Sequence, residues 1–405
     1  MSTEETALLL RIAQDGEADA RQQAQVLLLW GQGLTADEIA ANLNVPVEQV
    51  HQSIQIYTQQ GKDIFPTTLV DRFEEAIASD EIERKDSTAS RKLRTPGVLA
   101  DDPMSEAGRK VLRFHFERML MHEPGTRLGE DIEALHDMRV ATRRMRAAFR
   151  IFGSFFKPQL INPFLKGLRR TGRALGQVRD LDVFMEKANH YLEKSAEEDQ
   201  GALEPLLETW RQQRQAMREE MLRYLDGRRY KQFVADFGEF LATEGAGAKR
   251  VKSLRPVAYK VYQVAPTLLY KRYGVIRGYD TVLVEAQLET LHALRIDVKR
   301  FRYLLEFLQE ALGRKAKDVI RECVTVQDHL GDLNDSDVAC QMLIDFLEAW
   351  RVEEQRERIE INGVTRYLVS KQSELRFLVD TFPKTWERFT QSKVRRNLAL
   401  AISEL

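Results

Sequence analysis

Apolar residues recur three and four positions apart along most of this 405-residue chain, the spacing of amphipathic helices. Alternating apolar and polar runs bounded by turn residues are few. GVIRGYDTVLVEA, 274–286, is the best strand candidate, but its neighbours are helical and it reads as a loop leading into a helix. The pattern predicts an all-α fold. Residues 1–65 form a small helical unit. Its first helix ends near Gly31 and Gly33, and Thr35 with Glu38 makes a capping box for the second. Asn44 marks a turn, and Pro46 suits the first position of a third helix. Residues 66–104, charged and carrying Ser, Pro and Gly in their later part, read as a linker. Long amphipathic helices fill 105–400.

Charge separates these parts. The whole chain has a net charge of −1. Residues 1–104 carry 9 basic and 18 acidic side chains, whereas 105–405 carry 52 basic and 44 acidic ones. A larger part of net +8 beside a smaller one of −9 predicts that the larger part meets an anion. No run of 18 apolar residues is present, so no membrane partner is expected. MSTEETALLL lacks the basic stretch and apolar core of a secretion signal, and the two cysteines, Cys323 and Cys340, are too few for a disulfide framework. A cytoplasmic protein follows.

The first unit resembles a helix-turn-helix, whose last helix reads bases with basic and amide side chains. Here VPVEQVHQSIQIYTQQG offers Gln49, His51, Gln52 and Gln55 but no arginine, and Lys62 is the nearest lysine. Phosphate contacts dominate DNA affinity and need cations. Nucleic acid is therefore a doubtful partner, and an unidentified protein partner fits this unit at least as well. EIERK in the linker fits the Glu-x-Glu-x-Lys pattern of triphosphate tunnel enzymes. That fold needs a many-stranded barrel, and the helical pattern downstream supplies none.

The larger part repeats itself. LHDMRVATRRMR, 135–146, returns as LHALRIDVKRFR, 291–302, at an offset of 156. LGQVRDLDV, 175–183, returns as LGDLNDSDV, 330–338, at an offset of 155. Two blocks in the same order divide the region into halves, about 105–245 and 246–400. On a helix, steps of three and four place His136, Arg139, Arg143, Arg146 and Arg150 on one stripe. His292, Arg295, Lys299 and Arg302 form the matching stripe, which Glu306 breaks. Met138, Met145, Phe149 and Phe152, and Leu294, Val298, Phe301, Leu304 and Leu308, supply apolar faces for packing.

Like charges one turn apart cost a few tenths of a kcal/mol per pair, roughly, and residues 138–150 contain no acid to relieve them. A solvated basic face has no reason to appear twice in register. A ligand with closely spaced negative charges explains the duplication, because Arg presents a planar fork to phosphate and Lys a point charge. Lys110 and Arg113 upstream, and Lys166, Arg169, Arg170 and Arg173 before the Leu-Gly block, are further candidates. The second half keeps only Arg321, opposite Lys166. Metal binding would need convergent ligands, and no His-x-x-x-His or cysteine cluster exists. The histidines are read as hydrogen-bond donors to phosphate. Asp180, Asp182, Asp335 and Asp337 either cap a helix, hold arginines by ion pairs, or form a carboxylate or magnesium site.

The two His-x-x-Arg blocks, each followed by Leu-Gly-x-x-x-Asp-x-Asp-Val, resemble the CHAD domain (conserved histidine α-helical domain) over about 105–400. The resemblance implies two pseudo-symmetric four-helix bundles, a basic central groove or pore, and binding of inorganic polyphosphate by the two stripes and the cations facing them. It also implies possible association with polyphosphate granules. The family often accompanies a tunnel-type triphosphatase. This chain carries the helix-turn-helix-like unit instead, which favours binding over catalysis, with no cofactor. A nucleic-acid-binding regulator and a phosphohydrolase are the alternatives.

Overall fold

The computed structural model describes residues 8–9, 12–13, 18–31, 34–43, 45–66, 68–70, 95–194, 201–250, 257–283, 286–352 and 362–405. It divides into two compact units, Met1–Arg94 and Thr95–Leu405. The described residues form helices joined by short turns, with two isolated β-bridges and no strand. None of these helices is long and apolar enough to cross a membrane.

In the first unit, α1 (Ala18–Gly31), α2 (Ala36–Leu43) and α3 (Val47–Gln60) pack pairwise. The capping box forms as expected. The Thr35 amide donates to Glu38 Oε2 at 2.8 Å, and the Glu38 amide reaches Thr35 Oγ1 at 3.4 Å. Pro46 sits one residue earlier than expected, extended at ψ 138° just before α3. Val26, Ile39, Ala40 and Val50 close a small core. Gly33, Asn44, EIERK and the linker over 71–94 lie outside the described residues.

The described residues of the second unit form two successive sets of five helices. The first set is α4 (Met104–Leu128), α5 (Ile132–Phe152), α6 (Pro158–Glu193), α7 (Glu204–Asp226) and α8 (Arg228–Ala242). The second is α9 (Val261–Arg277), α10 (Leu288–Phe307), α11 (Ala316–Val352), α12 (Asn362–Thr390) and α13 (Ser392–Ile402). The start of each set is tied to the other. The Met104 amide donates to the Tyr259 carbonyl at 2.7 Å, and the Val261 amide to the Asp102 carbonyl at 2.9 Å. Residues 95–103, read from sequence as linker, pack with this unit. Val98 is fully buried, and Glu310 accepts from the amides of Gly97 and Val98 at 2.6 and 3.0 Å.

The apolar positions of the repeat account for the packing. Met138, Met145, Phe149 and Phe152 of α5 share one core with Leu294, Val298, Phe301 and Leu304 of α10. Each such side chain contributes roughly 1.5–3 kcal/mol of burial. The α4–α5 turn closes through Gly129, whose φ of 77° lies in the left-handed region, and Asp131, whose side chain accepts the Glu133 amide at 2.8 Å. The two long helices, α6 and α11, outrun this core. Their distal parts meet α7 and α12 in a second one around Phe184, Trp210, Leu343 and Tyr367. Both Leu-Gly blocks lie inside continuous helices.

Candidate anion-binding site

Helix α5 forms because Asp131 caps it, no Gly or Pro interrupts it and one face is apolar. Burying that face against the core fixes where the opposite one points. The same holds for α10, and the two helices pack against each other. Between them lies a cavity of about 340 Å³ lined by Arg143, Arg146, Arg150, Arg272, Arg295, Lys299 and Arg300, with Ala147, Ile151, Ile296 and Tyr303. The lining holds seven cationic side chains and no carboxylate.

The charges are poorly compensated. Among the described residues, Arg143, Arg146, Arg295 and Lys299 have no carboxylate at ion-pair distance. Arg143 Nε and the Tyr303 hydroxyl are buried without a hydrogen-bond partner. Burial, then Arg143, Arg295, Arg302 and Arg139, push the Lys299 ammonium down to about 7. Burial lowers Arg295 as well, with Arg143 adding to it and Asp335 opposing. Arg146 is lowered by burial and by Arg150 and Arg169. Two like charges 5 Å apart repel by roughly 3 kcal/mol at an effective dielectric of 20. Loss of the Lys299 proton relieves part of this repulsion, and an anion would relieve the rest.

The other stripe members flank the cavity or leave it. Arg139 lies over α6, 3.5 Å from where a Cβ on Gly176 would stand, and pairs with Asp180 at 2.8 Å. The guanidinium of Arg146 similarly lies over Gly172. His292 Nδ1 is 2.9 Å from Asn334 Oδ1. His136, in the matching position, is lowered by burial and by Arg179, which stands at the repeat position of Asn334. The charged ring is therefore disfavoured, and a neutral imidazole still donates one hydrogen bond. Arg302 turns away from the cavity. Glu306 takes it at 3.3 Å and Arg144 at 3.1 Å, and both guanidinium groups lie over the Tyr303 ring.

The outlying candidates are scattered. Lys110 is held by Asp102 at 2.7 Å and by the Gly97 carbonyl at 3.0 Å, so it braces residues 97–102. Arg113 pairs with Glu117 at 2.9 Å. On α6, Lys166, Arg169, Arg170 and Arg173 are all exposed. Arg169 reaches the electrostatic neighbourhood of Arg146, whereas Arg170 lines a separate cavity with Arg228 and Arg229. Nothing brings Lys166 or Arg173 to the stripes. Arg300, Arg272 of α9 and Tyr303 were missed from sequence. Arg300 repeats Arg144 but stands off the stripe, whereas Arg272 and Tyr303 are unique to one half, Ala147 standing where Tyr303 repeats, and a search by register finds only what is duplicated.

Three of the four aspartates hold cations of the fold. None caps a helix. Asp180 holds Arg139, Asp182 holds Arg214, and Asp335 takes Lys187 from the other half at 2.9 Å. Burial raises Asp180, Arg139 opposes it, and Asp335 adds to it. Among the described residues no three His, Cys, Asp or Glu side chains are placed to hold a metal ion. Both cysteines are free and buried.

The model of the CHAD domain family matches residues 110–344, and the chain belongs to that family. The crystal structure of the CHAD domain from the plant Ricinus communis superposes with a TM-score of 0.51 at 22% identity, covering 75% of this chain and 93% of that one. PptA from Streptomyces chartreusis aligns with a TM-score of 0.49 at 15% identity, covering 71% of this chain and 100% of that one. Comparison with curated protein sequences finds no match.

Proposed function

We propose that the CHAD unit binds inorganic polyphosphate between its two cationic helices, in the cytoplasm, and so directs the protein to polyphosphate granules. The carrying observation is the cavity between α5 and α10, with seven cationic side chains and no carboxylate in its lining. A chain of phosphates supplies closely spaced negative charge, and arginine forks bind phosphate oxygens in pairs. Arg143, Arg146, Arg295 and Lys299 are the central ligands. Arg150, Arg272 and Arg300 widen the track, Arg169 extends it along α6, and Arg139, held by Asp180, flanks it. His136 and His292 stand at its far end. The role is binding without catalysis. The first unit docks a protein rather than DNA, because the exposed face of α3 presents Glu48, Gln49, His51, Gln52, Gln55 and Gln59 and no cation.

The test is equilibrium binding of long-chain polyphosphate by the full chain and by an Arg143→Ala/Arg295→Ala variant. Each guanidinium lost should weaken binding by about tenfold, or ~1.4 kcal/mol, while helix content stays unchanged. Equal affinity of variant and parent refutes the proposal.

A further inference from the structure

We propose that Lys299 is a site of covalent modification by acyl phosphates, small anions in which an acyl group is joined to phosphate. The inference rests on the cavity being an anion site and adds that its central amine is chemically reactive. The other described lysines of this unit that are not exposed are neutralised by neighbours: Lys110 by Asp102, Lys187 by Asp335, Lys260 by Asp101, Lys371 by Glu374. Lys299 instead lines a cavity free of carboxylates. It faces Arg143 and Arg146 from α5, Arg272 from α9, and Arg295 on its own helix. The acids beside its neighbours are already engaged: Asp335, next to Arg295, with Lys187, Glu306 with Arg144 and Arg302, and Asp297 with Arg300.

That surrounding has two chemical effects. It strips the amine of its proton near neutral pH, as the value of about 7 reflects. An ordinary lysine is neutral in only about one molecule in a thousand at pH 7.5, and the uncharged amine is the nucleophile. The guanidinium groups also dock a phosphate beside it and stabilise the phosphate as it leaves. The Nζ lone pair attacks the acyl carbon and an N–C bond forms. The bond from that carbon to the phosphate oxygen breaks, its electron pair stays with phosphate, and the amine proton leaves with the inorganic phosphate. The product is a neutral amide. One cation is removed from the track, so modification lowers affinity for the polyanion, and a bound polyanion shields the amine.

The test incubates the full chain with acetyl phosphate at pH 7.5 and follows acetylation of each lysine by mass spectrometry. Lys299 should react at least about tenfold faster than the exposed Lys231 and Lys384. Excess polyphosphate should suppress Lys299 alone. Reaction of Lys299 no faster than at the exposed lysines overturns the inference, and leaves polyphosphate binding standing if that is measured in the same sample. Fast reaction that polyphosphate does not suppress supports the inference and refutes the polyphosphate reading of the cavity.

Discussion

At the scale of single residues, charge without counter-charge carries the account. Lys299 makes it testable by pH. Its folded value of about 7 lies below the ordinary ~10.4, so the unfolded chain holds more protons between those values. The contribution of this residue to the stability of the unliganded protein therefore rises with pH through that window. A bound polyanion restores the charge. Binding then takes up a proton, and affinity should fall by up to about tenfold per pH unit above 7. Titration calorimetry in buffers of different ionisation enthalpy measures this uptake, and Lys299→Arg should abolish it while keeping binding. Tyr303 is a second probe. A buried hydroxyl without a partner costs roughly 1–3 kcal/mol, so Tyr303→Phe should raise the melting temperature of the free protein and weaken polyphosphate binding. A lowered melting temperature would mean that the hydroxyl has a partner in the fold. Arg143, Arg146, Arg295 and Lys299 were legible because they recur in register. Arg272 and Tyr303 were not, because each occurs in one half only.

At the scale of elements, Glu306 is legible as the break in the second stripe but not as the partner of Arg144. Register alone makes Arg302 equivalent to Arg146. Glu306, in the position of Arg150, instead draws Arg302 and Arg144 to itself and ends the cationic row on α10. The contact with Arg302, four residues back on α10, is legible in the sequence, whereas the contact with Arg144 depends on packing across α5 and α10. Glu306→Gln should destabilise the fold by roughly 3 kcal/mol, since two half-buried guanidinium groups lose their partner. Chemical denaturation measures this, and an unchanged midpoint would show that the pair is dispensable. Helix α6 runs unbroken through Gly176, which sits mid-helix beneath the Arg139 guanidinium. The α4–α5 turn makes the opposite case. Gly129 adopts φ 77°, and Gly129→Ala should cost about 1–2 kcal/mol through left-handed backbone strain.

At the scale of the molecule, two units of opposite charge are joined by a charged segment, and the repeat sets the layout of the larger one. The duplicated blocks divide it into two halves. They do not indicate the five helices described in each or the second core at the far ends of α6 and α11, because length beyond the main core leaves no mark in local periodicity. The central claim is that the cationic cavity recognises linear polyphosphate rather than polyanions in general. Affinity of the full chain for long-chain polyphosphate at near-physiological salt, with duplex DNA as competitor, tests it most directly. Counterion release makes both ligands salt-sensitive, so competition at fixed salt separates them. The account expects tight binding that excess DNA does not displace and that the Arg143→Ala/Arg295→Ala variant loses by about a hundredfold. Ready displacement by DNA, or undiminished binding by the variant, would contradict it.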